Sequence, residues 1–290
     1  MLPEITAYIA EQHILFCNAL PFSACSVINP ALLARTLPAP ESVISLLIPY
    51  YDGDEPGRNL SLYAVARDYH LYARRLLGTL CDKLNEAYPS YRFVWYADHS
   101  PFDERETAAK AGLGFYGDNG LLINETYGSY VFLAEIATDM PFAQDAQVHK
   151  IRRCSHCGAC RRACPMTDQC LSMVTQKKGG LTDSEKAMIL ENDTVWGCDL
   201  CQTVCPYNRN VRSTPIKFFR ENKIYRLTLP LLDGMSEEEF GMRAFAWRKR
   251  TTIRRNLILK YGSSGKALRS EDEADFASEK HPSDQTPARN

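Results

Sequence analysis

The apolar residues in the first half of the chain follow two different spacings. A continuous apolar run at 43–51 (VISLLIPYY) predicts a buried strand, and the run at 91–97 (YRFVWYA) predicts a second strand. Between them, residues 61–86 have the apolar spacing of an amphipathic helix, and two later runs, at 120–124 and 129–138, predict a hairpin. The helical stripe comprises Leu62, Val65, Ala66, Tyr69, Leu76, Leu80 and Leu84. This pattern predicts an α/β domain.

A shorter helix is expected after the second strand. Ser100 can cap a helix N-terminus, Pro101 suits the first helical position, and Asp103 places an acidic residue in the first turn. We therefore predict a helix that runs to Lys110 and ends near Gly112.

The spacing of the cysteines indicates the chemistry. Eight of the eleven cysteines follow the bacterial two-cluster ferredoxin pattern, in two runs that each end in Cys-Pro. Closely spaced thiolates on one loop can ligate three corners of a cubane cluster, whereas the cysteine before each proline points toward the other cluster. We assign one [4Fe-4S] cluster to Cys154, Cys157, Cys160 and Cys205. We assign the second cluster to Cys164, Cys170, Cys198 and Cys201.

Zinc sites and disulfides are the alternative uses of such cysteines. Neither accounts for eight ligands in two runs that both end in Cys-Pro. Cys17, Cys25 and Cys81 lie outside the pattern and are expected to be ordinary buried thiols. The cysteines therefore indicate an electron carrier or a redox enzyme.

The composition fits a globular chain, with 45% hydrophobic residues, 24% charged residues and a net charge of −1. The sequence has no basic leader, twin-arginine signal or apolar stretch of membrane-spanning length, so we expect a cytoplasmic protein without a membrane partner. The predicted class is α+β. We predict an α/β domain at 1–149, an inserted ferredoxin-like two-cluster module at 150–208, a basic helical segment at 209–262 and a disordered tail at 263–290.

The segment between Pro206 and Gly262 carries thirteen Lys or Arg residues against five Asp or Glu residues, a local balance of +8. Its densest part comprises Arg243, Arg248, Lys249, Arg250, Arg254 and Arg255. Aromatic and apolar residues lie between these cations, so the stretch can contact the phosphates of a structured RNA. The alternative is the solvated face of an amphipathic helix.

Two histidines lie in motifs that suggest metal ligands. Asp68-x-His70 begins like a cobalt-ligating histidine motif, but it falls inside the long predicted helix and has alanine at 73 in place of glycine. His156 lies inside the first cysteine run. Both are expected to be local hydrogen-bonding groups.

The stretch 97–119 carries the most specific residues: ADHSP at 97–101, Arg105, and AGLGFYGDN at 111–119. Together with the two-cluster cysteine run, it resembles the epoxyqueuosine reductase family. Shorter matches are IPYY at 48–51, ARDYH at 66–70, GSYVFLAE at 128–135 and GCDLCQ at 197–202. The resemblance covers about residues 40–260.

This resemblance implies a cobalamin-dependent oxidoreductase with two [4Fe-4S] clusters, which removes the epoxide oxygen of epoxyqueuosine in tRNA to give queuosine. The α/β domain would bind cobalamin without a histidine beneath the cobalt. The resemblance makes Asp98 the general acid beside the cofactor and places Arg105, Leu122 and Leu133 against the cobalamin. It also implies tRNA and a low-potential electron donor as partners.

Three departures from the family pattern concern the substrate. Most members continue into helical repeats that help to bind tRNA, whereas this chain continues into a polar tail. Asp118 stands where the family has a lysine, and His99 and Ser100 replace small residues. Two alternatives therefore stay open. One is a cobalamin-dependent reductase of a non-tRNA small molecule, similar to the reductive dehalogenases, and the other is a non-catalytic iron–sulfur electron-transfer protein.

Overall fold

The computed structural model describes residues 1–166 and 169–262, and the chain forms two compact units. The first unit comprises Met1–Glu55, Leu62–Cys164 and Asp199–Ile224. The second unit comprises Pro56–Ser61, Pro165–Cys198 and the chain from Tyr225 onward. Two boundaries between these units, after Cys164 and after Cys198, fall inside the two-cluster module predicted at 150–208. The division of the chain into four segments stays a prediction. The predicted tail at 263–290 lies outside the described residues.

The described residues form short strands and mostly short helices. The strands are β1 (Cys17–Pro21), β2 (Ser42–Pro49), β3 (Phe93–Ala97), β4 (Phe115–Tyr116), β5 (Leu122–Ile123) and β6 (Val131–Thr138). The helices are α1 (Pro3–Glu11), α2 (Pro30–Thr36), α3 (Tyr69–Ala87), α4 (Glu104–Lys110), α5 (Ala159–Ala163), α6 (Leu171–Gln176), α7 (Asp183–Glu191), α8 (Leu200–Thr203), α9 (Lys217–Arg220), α10 (Leu229–Gly234), α11 (Glu237–Gly241) and α12 (Lys249–Tyr261). Within the described ranges, no helix has the length and apolar character to cross a membrane.

Four strands of the first unit form an antiparallel sheet in the order β1-β2-β6-β3. β2 and β6 pair along their whole lengths, beginning with Ser42 opposite Thr138. Every residue of β2 is buried, as expected for a continuous apolar run. The strands predicted at 43–51 and 91–97 are confirmed as β2 and β3, and the mixture of helices with a sheet confirms the predicted class.

The helix predicted from Ser100 begins at Glu104, and its N-cap is Asp103. The Asp103 carboxylate accepts a hydrogen bond from the backbone N–H of Glu106 at 3.1 Å. The Ser100 hydroxyl instead donates to the buried carboxylate of Glu135 on β6. The predicted start was wrong because this long-range hydrogen bond takes the side chain that the local pattern assigned to the cap.

The helix predicted at 61–86 also begins later, as α3, which spans Tyr69–Ala87. Asp68 is its N-cap and accepts a hydrogen bond from the backbone N–H of His70 at 3.0 Å. Leu62–Ala64 forms a separate 3₁₀ turn. The apolar side chains before Asp68 are buried but lie outside the α-helix. Their spacing continued the helical pattern of apolar residues, so the predicted helix began too early.

The predicted hairpin of 120–124 with 129–138 does not form. β5 pairs with β4, whereas β6 joins the large sheet. An isolated bridge joins Asn124, the last residue of the first run, to Gly128, which precedes the second run. A β-carbon at Gly114 would lie 2.6 Å from the backbone oxygen of the last residue of β5. Glycine at this position therefore lets the segment leading into β4 approach β5, a long-range preference that strand periodicity does not reveal.

Buried amide side chains stabilise the second unit. Asn256 on α12 is fully buried, and its amide donates to the carbonyls of Thr175 and Val195 at 2.7 and 2.9 Å. Asn59 exchanges two hydrogen bonds with the backbone of Leu227, both at 2.8 Å. A buried polar group left without a partner costs about 1–3 kcal/mol, so these amides favour one arrangement of the segments that they join.

The N-cap of α4 gives a test of this part of the fold. We expect Asp103→Ala to lower the free energy of unfolding by about 1 kcal/mol, because the backbone N–H of Glu106 loses its acceptor. Asp103→Asn keeps an acceptor oxygen and should stay close to wild type. The measurement is anaerobic urea unfolding of the cluster-loaded protein, followed by circular dichroism. An unchanged unfolding midpoint in Asp103→Ala would contradict the assignment.

Candidate functional site

Asp98 directly follows β3, where the chain turns toward α4. Its φ is 63°, in the left-handed region, and the backbone N–H of His99 donates to the Ala97 carbonyl at 2.8 Å. The Asp98 side chain is 73% exposed, and its carboxylate lies 3.8 Å from Nε2 of His70. The Nδ1 atom of His70 lies 2.8 Å from the carboxylate of Asp68. The turn therefore presents the Asp98 carboxylate outward beside a histidine.

His70 is placed between two acids. Burial lowers the pKa of its imidazole, but the hydrogen bond and charge of Asp68 and the charge of Asp98 outweigh burial and raise it. The prediction of a locally hydrogen-bonded histidine is confirmed, although His70 lies in the first turn of α3 and not in the helix interior.

An open cavity of about 200 Å³ lies beside Asp98. Its polar lining is Asp98, Glu104, Arg105, Tyr69 and Ser129. Its apolar lining is Leu121, Leu122, Val131, Phe132 and Leu133. The structure thus brings together all four residues for which the family resemblance implies cobalamin contact, namely Asp98, Arg105, Leu122 and Leu133. Their roles stay predictions.

The chemistry of this lining fits a corrin. Aliphatic side chains such as Leu122 and Leu133 can cover the face of a large ring, and polar groups elsewhere on the wall can pair with its amide substituents. The buried Oε1 atom of Glu104 has no hydrogen-bond partner among the described residues. Nη1 of Arg105 donates to the Gly120 carbonyl at 2.9 Å, which ties α4 to the loop before β5.

Two carboxyl groups near the cavity are buried, and the sequence interpretation missed both. Glu135 is fully buried on β6, and burial raises its pKa to about 7 against the hydrogen bond from Ser100. Burial, followed by the charges of Glu135 and Asp98, raises the pKa of Glu104 to about 8. An acid inside the apolar run VFLAEIAT of β6 was the available signal, because buried acids are rare without a specific partner.

A second, much smaller cavity is lined by Cys154, Cys157, Cys160 and Cys205. Burial raises the pKa of the Cys205 thiol, and charges on the other three cysteines add to this rise. Four thiols around one cavity are the donor set that a [4Fe-4S] cluster requires. The structure therefore brings together the first predicted ligand set, and ligation by these residues stays a prediction.

The other seven cysteines do not belong to the lining of this cavity. Cys164 and Cys201 belong to the first unit, while Cys170 and Cys198 belong to the second, so their assignment to the second cluster stays a prediction. Cys81 is buried, and Cys17 and Cys25 are partly buried. Burial raises the pKa of each of these three thiols, as expected for ordinary interior cysteines.

The short strand β5 contributes to both cavities. Leu122 lines the cavity beside Asp98, and the next residue, Ile123, lines the cysteine cavity. Successive side chains of a strand point to opposite faces, so one strand can supply a wall to each cavity. Ile123 also packs with Phe115 and Cys205 in a buried cluster. The cysteine site and the Asp98 cavity therefore lie on the two faces of one strand.

Asp118 lies next to the cysteine cavity. Its carboxylate lies 2.8 Å from Nδ1 of His156, and the donor atoms of these two residues and Cys154 lie within 4.8 Å of one another. This confirms the prediction that His156 is a local hydrogen-bonding group. Where the family pattern has a lysine, this chain therefore has an acid–histidine pair beside Cys154.

The basic stretch is only partly available for RNA. Arg255 is buried and donates to the backbone carbonyls of Lys177 and Gly179, and burial lowers its pKa to about 10. Arg250 donates to the Met235 carbonyl and to the Glu237 carboxylate. The prediction of a phosphate-contacting side chain is therefore wrong for Arg255, because its guanidinium satisfies carbonyls inside the second unit.

Two family models match the chain. The model described as epoxyqueuosine reductase QueG, DUF1730, matches residues 31–99, and the model for a 4Fe-4S dicluster domain matches residues 153–209. The epoxyqueuosine reductase of Listeria monocytogenes is 32% identical over 263 residues, which cover 80% of this chain and 68% of that protein. The chain belongs to the epoxyqueuosine reductase family. The dicluster match also confirms the prediction of a module for two [4Fe-4S] clusters.

Further similar proteins and solved structures are also epoxyqueuosine reductases. The epoxyqueuosine reductase of Lactococcus garvieae is 32% identical over 212 residues, or 68% of this chain and 59% of that protein. The chain spans about three fifths of the length of the first curated relatives it matches. The structure of epoxyqueuosine reductase from Streptococcus thermophilus matches with a TM-score of 0.71 at 24% identity, over 88% of this chain and 79% of that chain. An epoxyqueuosine reductase with an epoxyqueuosine-modified tRNA-Tyr stem loop matches with a TM-score of 0.70 at 25% identity, over the same shares.

Removing two sulfurs from the first ligand set tests the cysteine site. We expect the double variant Cys157→Ala/Cys205→Ala to lose one cluster, or about four iron atoms per chain, because two donors cannot hold a cubane. Cys81→Ala removes a thiol outside the set and should retain the full content. Iron and sulfide per chain, measured after anaerobic reconstitution, check both. The same iron content in the double variant and wild type would refute the assignment.

The buried Glu135 predicts a pH dependence of stability. Its pKa is raised from 4.5 to about 7, so the folded protein holds a proton that the unfolded chain has lost across that window. The free energy of unfolding should therefore fall, by at most about 3 kcal/mol, as pH rises from about 4.5 through about 7. Urea unfolding of wild type and Glu135→Gln, measured across this window, checks the sign. An equal fall in the variant would show that Glu135 is not its source.

Proposed function

We propose that this chain reduces epoxyqueuosine to queuosine in tRNA, with cobalamin and two [4Fe-4S] clusters as cofactors. Membership of the family supports the reaction, and the complex of a relative with an epoxyqueuosine-modified stem loop supports an RNA substrate. The observation that carries the proposal is the arrangement around β5. An acid-lined cavity lies on one face of this strand, and four cysteines surround a cavity on the other.

We assign different roles to the residues of the cavity beside Asp98. Leu122 and Leu133 would cover the corrin, and Arg105 would pair with its polar substituents. When bound, cobalamin supplies a cobalt centre that can be reduced and that activates the epoxide carbon. β5 provides a short route for electrons because it forms a wall of both cavities. The lining leaves Asp98 exposed at the cavity, where it can protonate the departing oxygen.

A direct assay tests the reaction. The protein is reconstituted anaerobically with iron, sulfide and cobalamin, then given a low-potential reductant and epoxyqueuosine-containing tRNA. Mass spectrometry of the digested nucleosides should show the loss of one oxygen from epoxyqueuosine. No conversion by the fully loaded protein, beside an active reference reductase, would overturn the substrate assignment and favour a small-molecule reductase.

The acid role of Asp98 has its own prediction. Asp98→Asn keeps the shape of the side chain but cannot donate an acidic proton, so turnover should fall about 10²- to 10⁴-fold. Cobalamin and iron content should stay at wild-type levels. Asp82→Asn alters an exposed acid outside the cavity and should stay fully active. Turnover of Asp98→Asn within about threefold of wild type would exclude this role, since a general acid contributes far more.

For tRNA binding, we propose a narrower surface than the whole basic stretch. The Arg248 guanidinium lies 3.7 Å from the centroid of the Trp247 ring, and Trp247 is 56% exposed. An exposed aromatic ring with a cation stacked on it is typical of surfaces that bind unpaired bases and phosphates. Arg243, four residues before Trp247 in the second unit, adds a further positive charge.

Two substitutions separate stacking from charge. Trp247→Ala should weaken binding of an anticodon stem loop by about 1–3 kcal/mol, because a stacked base loses its platform. Arg248→Ala should weaken binding and reduce the salt dependence by about one phosphate contact. Lys186→Ala, an exposed cation elsewhere in the second unit, is the matched control. Fluorescence anisotropy at several salt concentrations measures both the binding affinity and its dependence on salt. Wild-type binding in Trp247→Ala and Arg248→Ala would rule out this surface.

A further inference from the structure

The proposed reaction consumes two protons, and Asp98 accounts for one of them. Converting an epoxide to an alkene breaks both carbon–oxygen bonds, forms the carbon–carbon double bond and releases the oxygen as water. The change takes up two electrons, from a low-potential one-electron donor through the clusters, and two protons. Asp98 donates once before it must regain a proton. The second proton requires another source, and the identity of that source rests on the proposed function.

Glu104 lies on the wall of the same cavity as Asp98. It is the first residue of α4, and its carboxylate is close enough to the backbone N–H of Asp98 for that group to favour the ionised form. Its buried Oε1 atom has no hydrogen-bond partner among the described residues. The guanidinium of Arg105, the nearest cation along the chain, donates to the Gly120 carbonyl. Glu104 therefore has a carboxyl group with an unpaired oxygen at the cavity.

The groups around Glu104 favour its protonated form. Burial raises its pKa to about 8, with further contributions from Glu135 on β6 and from Asp98 and Asp103 before α4. The backbone N–H of Asp98 opposes this rise. Tyr69, at the start of α3, lines the same cavity and is neutral at physiological pH because burial raises its own pKa. The three side-chain charges that contribute to the pKa rise of Glu104, on Glu135, Asp98 and Asp103, are all negative, while His70 and Arg105 are the nearby basic groups.

Glu106, two residues further along α4, has a pKa shifted in the opposite direction from that of Glu104. Its carboxylate lies 2.6 Å from the ammonium group of Lys110, and this ion pair lowers its pKa. Two glutamates in one turn of helix therefore differ in protonation state because only one of them has a cationic partner. Pairs of carboxyl groups whose environments move their pKa values apart are characteristic of acid–base sites.

We propose that Glu104 is the second proton donor of the reaction. In this scheme Asp98 protonates the oxygen as the first carbon–oxygen bond breaks. Glu104 then protonates the resulting hydroxyl group, which leaves as water when the second bond breaks. Both carboxylates regain protons from solvent before the next turnover.

Three variants separate proton donation from anchoring of the Asp98 turn. Glu104→Gln keeps an acceptor oxygen for the Asp98 backbone N–H but has no acidic proton, whereas Glu104→Ala loses both. Glu106→Gln is the matched control on the same helix. We expect Glu104→Gln to lower turnover about 10²- to 10⁴-fold with normal cofactor content, and Glu106→Gln to stay at wild-type levels. Wild-type turnover in Glu104→Gln combined with loss in Glu104→Ala would make Glu104 an anchor and overturn the proposal.

The pH profile provides a readout that a purely structural role would not change. Turnover by wild type should fall as pH rises through about 8, where Glu104 loses its proton. This basic limb should be absent from the residual activity of Glu104→Gln and present in Glu106→Gln. An identical basic limb in Glu104→Gln would contradict the proposal.

Infrared spectroscopy of the cluster-loaded protein without substrate tests the acid itself. Besides the stretch of Glu135, wild type and Glu106→Gln should show the carbonyl stretch of a second protonated carboxylic acid, which disappears with a midpoint near pH 8 and is missing from Glu104→Gln. The absence of this second stretch from the wild type would overturn the proposal. If wild type leaves epoxyqueuosine unchanged, the proposed function fails, whereas an active wild type with an equally active Glu104→Gln refutes Glu104 alone.

Discussion

Side-chain alternation along β5 directs Leu122 toward the cavity beside Asp98 and Ile123 toward the cysteine cavity. The pairing of β5 with β4 holds this strand in place, and that pairing depends on Gly114, where a β-carbon would meet the β5 backbone at 2.6 Å. The arrangement of the site depends on this close approach. A larger residue at Gly114 would have to move β5, and with it one wall of each cavity.

The rest of the catalytic cavity depends on the turn between β3 and α4. The Ser100 hydroxyl bonds to the buried Glu135, which secures the turn to the centre of the sheet. The adjacent Asp98 adopts a left-handed conformation that exposes its carboxylate. Glu104, at the start of α4, lines the same cavity as Asp98. The buried acid Glu135 on β6 thus secures the turn, while the turn itself carries the exposed Asp98 and leads to Glu104 at the cavity wall, and their different environments give these acids different roles.

The sequence predicted the chemical groups better than their structural context. Cysteine spacing alone indicated the set that lines the cysteine cavity, because cubane ligation requires closely spaced thiolates on a loop. The resemblance brought in Asp98, Arg105, Leu122 and Leu133, and the structure places all four on one cavity. These successes rest on short motifs whose residues act close together.

The failures arose where a distant partner competes with a local preference. Ser100 had the local features of an N-cap, but its hydroxyl bonds to β6 instead. Arg255 belonged to a basic run, but backbone carbonyls of the second unit bury it. The run at 129–138 formed a strand, but in the centre of the sheet instead of a hairpin. Periodicity and capping rules describe neighbours along the chain and cannot identify such partners.

Electron paramagnetic resonance of the protein loaded with both cofactors tests the central claim that the cluster and the cobalamin lie on opposite faces of β5. In a sample poised so that cobalt(II) and the reduced cluster coexist, the account predicts a cobalt signal that is split or relaxes faster through coupling to the cluster. Removing the first cluster with Cys157→Ala/Cys205→Ala should restore the signal of isolated cobalt(II). A cobalt signal unaffected by reduction of the clusters would contradict the account.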